Sequence, residues 1–275
     1  MQKKKNNKTI LLLAAAIVLL VIGLATVFTF IMPMSKDKET YYIYIDGDDT
    51  MDSVMNKLEP GSKTIPLKIF SALATYTSYD KNIRTGRYAI DEKEGTLQTF
   101  RKFRNGMQSA VSLTIPSVRT KERLAQEVSK RMMMDKEELL SALNDDKICR
   151  KYGMDTLTIQ CIFIPNTYDA YWNISVEKFL DRMKKEYEAF WNNERKNKAE
   201  AIGMTQQEVI TLASIIDEET ANNAEKPMVA GMYINRLKIN MPLQADPTIK
   251  YAWKQFGLKR IYNKLLHIDS PYNTY

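Results

Sequence analysis

Three consecutive acids, Asp217, Glu218 and Glu219, are the residues of this sequence best placed to do chemistry. They close a segment that opens with Thr205-Gln206-Gln207-Glu208. This is a capping box, in which the threonine hydroxyl accepts from the Glu208 amide while the Glu208 carboxylate reaches back. Val209, Leu212, Ala213 and Ile216 follow at helical spacing and predict the buried stripe of a helix from Gln206 to about Thr220. Acids at the C-terminal end of a helix face the negative pole of its dipole, which costs a few tenths to about 1 kcal/mol each. A helix that tolerates three of them has a use for at least one. At ~100° per residue Glu218 points away from the stripe, and Glu219 falls within ~20° of Leu212. Asp217 lies on the other flank, beside Ile210 and Ala213. A carboxyl held against aliphatic groups and beside other acids keeps its proton to higher pH, which a general acid for glycosidic cleavage needs. The wheel favours Glu219 over Asp217 by a narrow margin. Three solvated acids at a fraying helix end are the competing reading of the same residues.

Other chemistry has less to work with. The sequence holds one histidine, His267, and two cysteines, Cys149 and Cys161. A zinc site and a Ser-His-Asp triad are therefore improbable, and no metal and no cofactor are expected. His267-Ile268-Asp269-Ser270 is too contiguous to form a triad and reads as a loop. Ser78-Tyr79-Asp80-Lys81 and Ser35-Lys36-Asp37-Lys38 match the four-residue serine-lysine pattern of acyl enzymes, but the companion Lys-Thr-Gly element is missing. Asp46, Gly47, Asp48 and Asp49 resemble a calcium loop at first sight. Met51 stands where such a loop needs glycine, so a plain turn is expected.

The elements that must position the acids start beyond an apolar run. Ile10–Met32 is apolar apart from two threonines and a glycine. As a helix, about 23 residues at ~1.5 Å each span roughly 35 Å, enough for a hydrocarbon core of about 30 Å. Lys3, Lys4, Lys5 and Lys8 precede the run, so the N-terminus is expected in the cytoplasm and the rest outside. The run is longer than a signal-peptide core and ends in Phe28, Phe30, Ile31 and Met32, not in small residues, so an uncleaved single-pass anchor is expected. The formal charge is +7 from 40 basic and 33 acidic residues; without those four lysines 36 basic residues remain and the excess falls to +3. A basic excess held in one tail argues against a nucleic-acid partner. Outside the cell, Cys149 and Cys161 form either a disulfide or two separate thiols, and spacing does not choose.

The body reads as α+β. Residues 1–9 form a cytoplasmic tail, 10–32 the transmembrane helix and 33–40 a polar stem. A small α+β domain follows at 41–110, then a mixed, mainly helical domain at 111–275. Strands are expected at Tyr41–Ile45, Gly86–Ile90 and Ser109–Ile115, with a β-rich stretch at Thr158–Phe163. Helices are expected at Thr50–Leu58, Pro66–Thr77, Thr96–Arg104 (closed by Asn105-Gly106), Lys121–Met133, Lys136–Leu143 (capped by Asp135) and, as one long element, Ser175–Lys198. Met132, Met133 and Met134 read as core filling.

Four blocks in order carry a family resemblance. Ala213-Ser214-Ile215-Ile216-Asp217-Glu218-Glu219-Thr220 is similar to the "ASIIEKET" signature of the YceG-like (MltG) family of endolytic lytic transglycosylases. Asn235-Arg236-Leu237 with Leu243-Gln244-Ala245-Asp246-Pro247-Thr248 resembles its "INRL…LQ-x-DPT" block. Phe163-Ile164-Pro165-Asn166-Thr167-Tyr168 resembles "FFPDTY", and Tyr272-Asn273-Thr274-Tyr275 matches "YNTY". Gly86-Arg87-Tyr88, Leu97 and Asn105-Gly106 are similar to the LysM-like unit that precedes the catalytic domain. The resemblance implies that Glu219 is the catalytic glutamate of a membrane-anchored enzyme. Such an enzyme cuts peptidoglycan glycan strands between N-acetylmuramic acid and N-acetylglucosamine, leaves anhydro ends and terminates strand elongation. Gln244, Asp246 and Thr248 become sugar-binding or loop-orienting residues, with Asn235 and Tyr168 as further candidates. Peptidoglycan synthases become partners. Two departures stand out. Asn240 replaces a glycine, which a left-handed cap tolerates. Family members also continue through a Gly-Pro-rich loop beyond Tyr275, which implies a truncated chain with an incomplete catalytic domain. The rival class is a non-enzymatic anchored scaffold that binds glycan for the wall-synthesis machinery.

Overall fold

The computed structural model describes residues 2–275, with side chains described from residue 13 onward except at 14, 22 and 25. The fold is mixed α+β, mostly helical, with two small two-stranded sheets among the described residues. The chain divides into two compact units. The first runs through Leu113 and takes in Ser129–Met134 and Thr167–Ile174; the second holds Thr114–Val128, Asp135–Asn166 and Ser175–Tyr275.

The first unit begins with α1 (Gln2–Ile31). The expected membrane span falls on this helix, and part of it lies outside the described side chains. Among the described residues no helix is long and apolar enough to cross a membrane. Residues 33–35, read as stem, are packed into this unit. Met34 is fully buried, Pro33 bridges Gly95 and Ser35 bridges Ser62. Both the amide and the hydroxyl of Thr96 donate to the Met32 carbonyl. Next come β1 (Tyr41–Ile45), α2 (Met51–Leu58), α3 (Thr64–Tyr76), β2 (Gly86–Ile90), α4 (Thr96–Asn105) and β3 (Val111–Ile115). β1 and β2 pair antiparallel from Tyr41↔Ile90 to Ile45↔Gly86, so Ile43, Ile45, Tyr88 and Ile90 all face inward. Phe70, Phe100 and Phe103 of α3 and α4 close over them, with Tyr88 stacked on Phe103 at 4.5 Å. α4 ends at Gly106 with φ +67, the left-handed cap that the Asn-Gly pair predicts. Asp46–Asp49 form the expected turn into α2, whose N-cap is Thr50. β3 pairs with β4 (Asn166–Ala170), and Ser112 donates to Asp169 at 2.8 Å.

The second unit contains α5 (Lys121–Ser129), α6 (Lys136–Asn144, capped by Asp135), α7 (Asp146–Lys151), α8 (Val176–Phe190), α9 (Asn193–Ala201), α10 (Gln206–Glu219), α11 (Lys226–Lys238) and α12 (Asp246–Ala252). Three local expectations need correction. Thr158–Phe163 is not a strand. The Asp155 carboxylate accepts from the Leu157 and Thr158 amides and from the Thr158 hydroxyl, which curls the chain into a 3-10 turn at Ile159–Ile162. The strand lies just beyond, at β4. The long helix from Ser175 is two helices, because Asn192 caps the second through the Arg195 amide. α5 stops at Ser129, and of the three following methionines Met132 and Met134 are buried while Met133 is exposed. Cys149 and Cys161 are free thiols.

Candidate functional site

α10 starts as its sequence dictates. The Thr205 hydroxyl accepts from the Glu208 amide at 3.2 Å, and the Glu208 carboxylate accepts from the Thr205 amide at 2.7 Å. Leu212 and Ile216 are buried against Tyr233 of α11 and Ala245, with Ile215, Val229, Ala230, Ile234 and Leu243 around them. Ala213, expected in the stripe, is exposed, because the packed face turns toward Ile215. The turn between α10 and α11 is closed by Glu225, whose carboxylate accepts from the Thr220 hydroxyl and the Asn222 side chain at 2.8 and 3.0 Å. Pro227 sits in the first turn of α11, where a missing amide hydrogen costs nothing. This hairpin brings Tyr233 back to the end of α10.

The three acids separate by partner. Asp217 is ion-paired with Lys226 at 2.5 Å and accepts from the Ser117 hydroxyl at 3.4 Å. Glu218 is ion-paired with Arg119 at 2.7 Å, and that contact holds the Arg119 guanidinium protonated even above its usual range. Glu219 is met by a neutral donor: the Tyr233 hydroxyl donates to its Oε1 at 2.7 Å. Tyr233 is 2 % exposed. Burial first, then the Glu219 carboxylate, push its phenol well above the ordinary tyrosine range, so it remains a donor. The aliphatic cover expected over Glu219 is not there. The residue is exposed, since the chain turns extended at Thr220 and the packed stripe stops one turn earlier at Ile216.

The loop before α12 stands by the same hairpin. Gln244 has φ +51, is exposed and donates its amide to the Thr274 carbonyl at 2.8 Å. The Thr248 side chain is turned inward, with its hydroxyl 2.7 Å from the Ala245 carbonyl and 2.9 Å from the Thr274 hydroxyl. Asp246 opens α12, is exposed, and accepts from the Tyr275 hydroxyl at 2.6 Å. Burial and that carboxylate push Tyr275 up to about 12, and the charge of Glu219 acts on it in the same direction. Glu219, Asp246, Tyr233 and Tyr275 are thus one electrostatically linked group on the second unit. Asn235 is exposed on α11. Tyr168 belongs to the first unit, on β4, and is 5 % exposed. Asn240, the departure after α11, takes φ +53, the left-handed cap expected of it.

Sequence reasoning missed Tyr233, Arg119 and Lys226. The signal for Tyr233 was its own hydroxyl, because a tyrosine on the packed face of a helix needs a partner for it. Two concavities among the described residues lie elsewhere. One is lined by Met154, Lys184, Tyr187 and Gln207, the other by Met204, Leu212, Ile234 and Leu237. All three acids are exposed.

The chain matches one family model and resembles three known proteins. The model of the YceG-like family matches residues 43–275. A Bacillus subtilis protein named endolytic murein transglycosylase is 26% identical over 93% of this chain and 76% of its own length. A Streptococcus pneumoniae protein of the same name is 24% identical over 92% of this chain, which spans about half (51%) of that relative's length. The crystal structure of a yceG-like protein from Listeria monocytogenes shares the fold, with a TM-score of 0.53 at 24% identity over 87% of this chain and 83% of that one.

Proposed function

Since the chain belongs to the YceG-like family, we propose that it is a peptidoglycan lytic transglycosylase, an endolytic murein-cleaving enzyme whose acid is Glu219. The observation that carries the assignment of the residue is the sorting of the three acids. Asp217 and Glu218 are each tied to a cation, whereas Glu219 is held by a neutral phenol. Each ion pair ties its carboxylate to the helix end, whereas Glu219 takes a hydrogen bond from a neutral donor on Oε1, which leaves Oε2 to meet a substrate oxygen.

In this reading Glu219 donates its proton to the oxygen leaving between N-acetylmuramic acid and N-acetylglucosamine. The resulting carboxylate then takes the proton of the muramoyl C6 hydroxyl, whose oxygen attacks the anomeric carbon. The glycosidic bond breaks, an anhydro ring closes, and no water is consumed. The substrate supplies the nucleophile, so a second carboxylate at hydrolase spacing is not required. Asp246 and Gln244, both exposed beside Glu219's hairpin, are assigned to sugar contacts, and Asn235 with them. Thr248 orients the loop through its inward hydroxyl.

The apolar run Ile10–Met32 and the preceding lysines support a single-pass anchor in the cell membrane, with the N-terminus cytoplasmic and everything after Met32 outside. Such a tether would keep the enzyme near strands leaving the peptidoglycan synthases and allow it to terminate their elongation. The test is product analysis. Purified glycan strands incubated with the protein are expected to yield fragments ending in anhydro-muramoyl groups, each lighter by one water than a hydrolysed end. Glu219→Gln is expected to release them about 10²–10⁴-fold more slowly while still binding strands. Release of hydrolysed ends would overturn the mechanism, and no release by the unaltered protein would favour the scaffold.

A further inference from the structure

We propose that Tyr233 is a positioning residue of the reaction: its hydroxyl fixes Oε1 of Glu219, so that the mobile proton is carried and exchanged on Oε2. The proposal rests on Glu219 being the acid.

The geometry gives Tyr233 one task. Its ring is part of the cluster that seats α11 on α10, packed with Leu212, Ile216 and Ala245. Its position is therefore set by the core and not by a mobile side chain. From that fixed point the hydroxyl reaches Oε1 at 2.7 Å. A phenol has one hydrogen to donate, and here it goes to that oxygen. Glu219 is the last residue of α10, exposed and followed by an extended Thr220, so nothing in its own helix would hold its rotamer. The phenol holds it from the neighbouring helix. With Oε1 occupied as an acceptor in both protonation states, Oε2 is the atom left to give a proton to the leaving oxygen and later to take one from the C6 hydroxyl.

The contact also acts on the chemistry. A hydrogen bond to a carboxylate is stronger than one to the neutral acid, so the phenol favours the charge that develops on Glu219 as it releases its proton. The groups around the pair are few. Asp217 and Glu218 precede Glu219 on α10 and are ion-paired. Arg236 on α11 acts on Tyr233, and Tyr275 and Asp246 face the pair from the terminal segment and α12. Burial and the Glu219 charge keep the Tyr233 phenol protonated throughout the range in which a carboxyl titrates.

The test is steady-state kinetics of the full chain on purified glycan strands, across pH, for Tyr233→Phe. Phenylalanine keeps the ring and removes only the donor. kcat is expected to fall about ten- to a hundredfold, the loss of a hydrogen bond to a charged group. KM should stay within about twofold, and the alkaline limb of kcat should move to higher pH, because the carboxylate loses a donor. A residue that merely packs would leave that limb in place. Unchanged kcat with an unchanged limb overturns the proposal. Should Tyr233→Phe fail to fold, a ring-fluorinated tyrosine at 233 decides. Its phenol is a stronger donor, so the limb should move to lower pH, and no movement overturns the proposal. The reading beneath it fails differently: Glu219→Gln would then keep its turnover, whatever Tyr233→Phe does.

Discussion

Two acidic clusters of this chain look alike on paper and end differently in the fold. Asp46, Asp48 and Asp49 surround the turn before α2; Asp217, Glu218 and Glu219 end α10. In the first, the carboxylates close on their own neighbourhood. The Asp49 side chain is 4 % exposed, pairs with Lys57 at 2.5 Å and accepts from the Asp46 amide at 2.9 Å, while Asp46 shares the same lysine at 3.6 Å. The partners come from one turn and the helix it starts. In the second, the partners come from far along the chain. Ser117 and Arg119 lie about a hundred residues back, and Lys226 and Tyr233 come from the next helix. Acids that a turn needs are satisfied by that turn. Acids at the wrong end of a helix dipole are held by tertiary contacts, and the one given a neutral partner is the one not taken up by an ion pair among the described residues.

The contrast can be broken by removing acids from the structural side. Asp49→Ala is expected to cost the first unit about 1–3 kcal/mol, since it leaves Lys57 and the Asp46 amide without their shared acceptor. Urea unfolding would measure it, and turnover per folded molecule should not change. A loss of turnover without a loss of stability would place the turn in the active site and end the comparison.

The same carboxyl makes a pH prediction. Burial works against its charge, but the Lys57 ammonium, the Ser53 hydroxyl and the Asp46 amide outweigh it and bring Asp49 down to about 2 from 3.8. A depressed carboxyl contributes stability above its unfolded value and loses it as pH falls through its folded one. The stability gap between the unaltered protein and Asp49→Asn should therefore be full above about pH 4 and close toward pH 2. A gap that widens in acid would reverse the assignment.

The smallest effect is expected at Arg119→Ala. Its bond to Glu218 lies on the surface, with the arginine side chain 51 % exposed, so its removal should cost about 0–1 kcal/mol, less at ~1 M salt. Turnover should hold within about fivefold on that scale. A large, salt-insensitive loss would mean that Glu218 is also part of the chemistry.

Much of this was legible from local signals. The capping box of α10, the Asp135 cap, the Asn105-Gly106 ending and the alternation of β1 all act within a few residues, and the fold keeps them. The failures share a cause. Asp155 bends a β-rich stretch through side-chain bonds that outbid its propensity, and Asn192 starts a new helix in a polar stretch, Asn192–Lys198, where no apolar residue marks the break. At the site, the wheel picked out Glu219 but expected aliphatic cover. What meets the carboxyl instead is a hydroxyl 14 residues away in sequence, and helical periodicity does not see across a hairpin.

The central claim is that one of three adjacent acids does the chemistry and two hold the helix end. It is tested most directly by measuring release of anhydro-ended fragments for Asp217→Asn, Glu218→Gln and Glu219→Gln side by side, each checked for folding. Glu219→Gln is expected to lose about 10²–10⁴ in kcat, while the other two stay within about fivefold of the unaltered protein, the range of a lost surface ion pair. Turnover that survives at Glu219→Gln and vanishes at Asp217→Asn or Glu218→Gln would contradict the account.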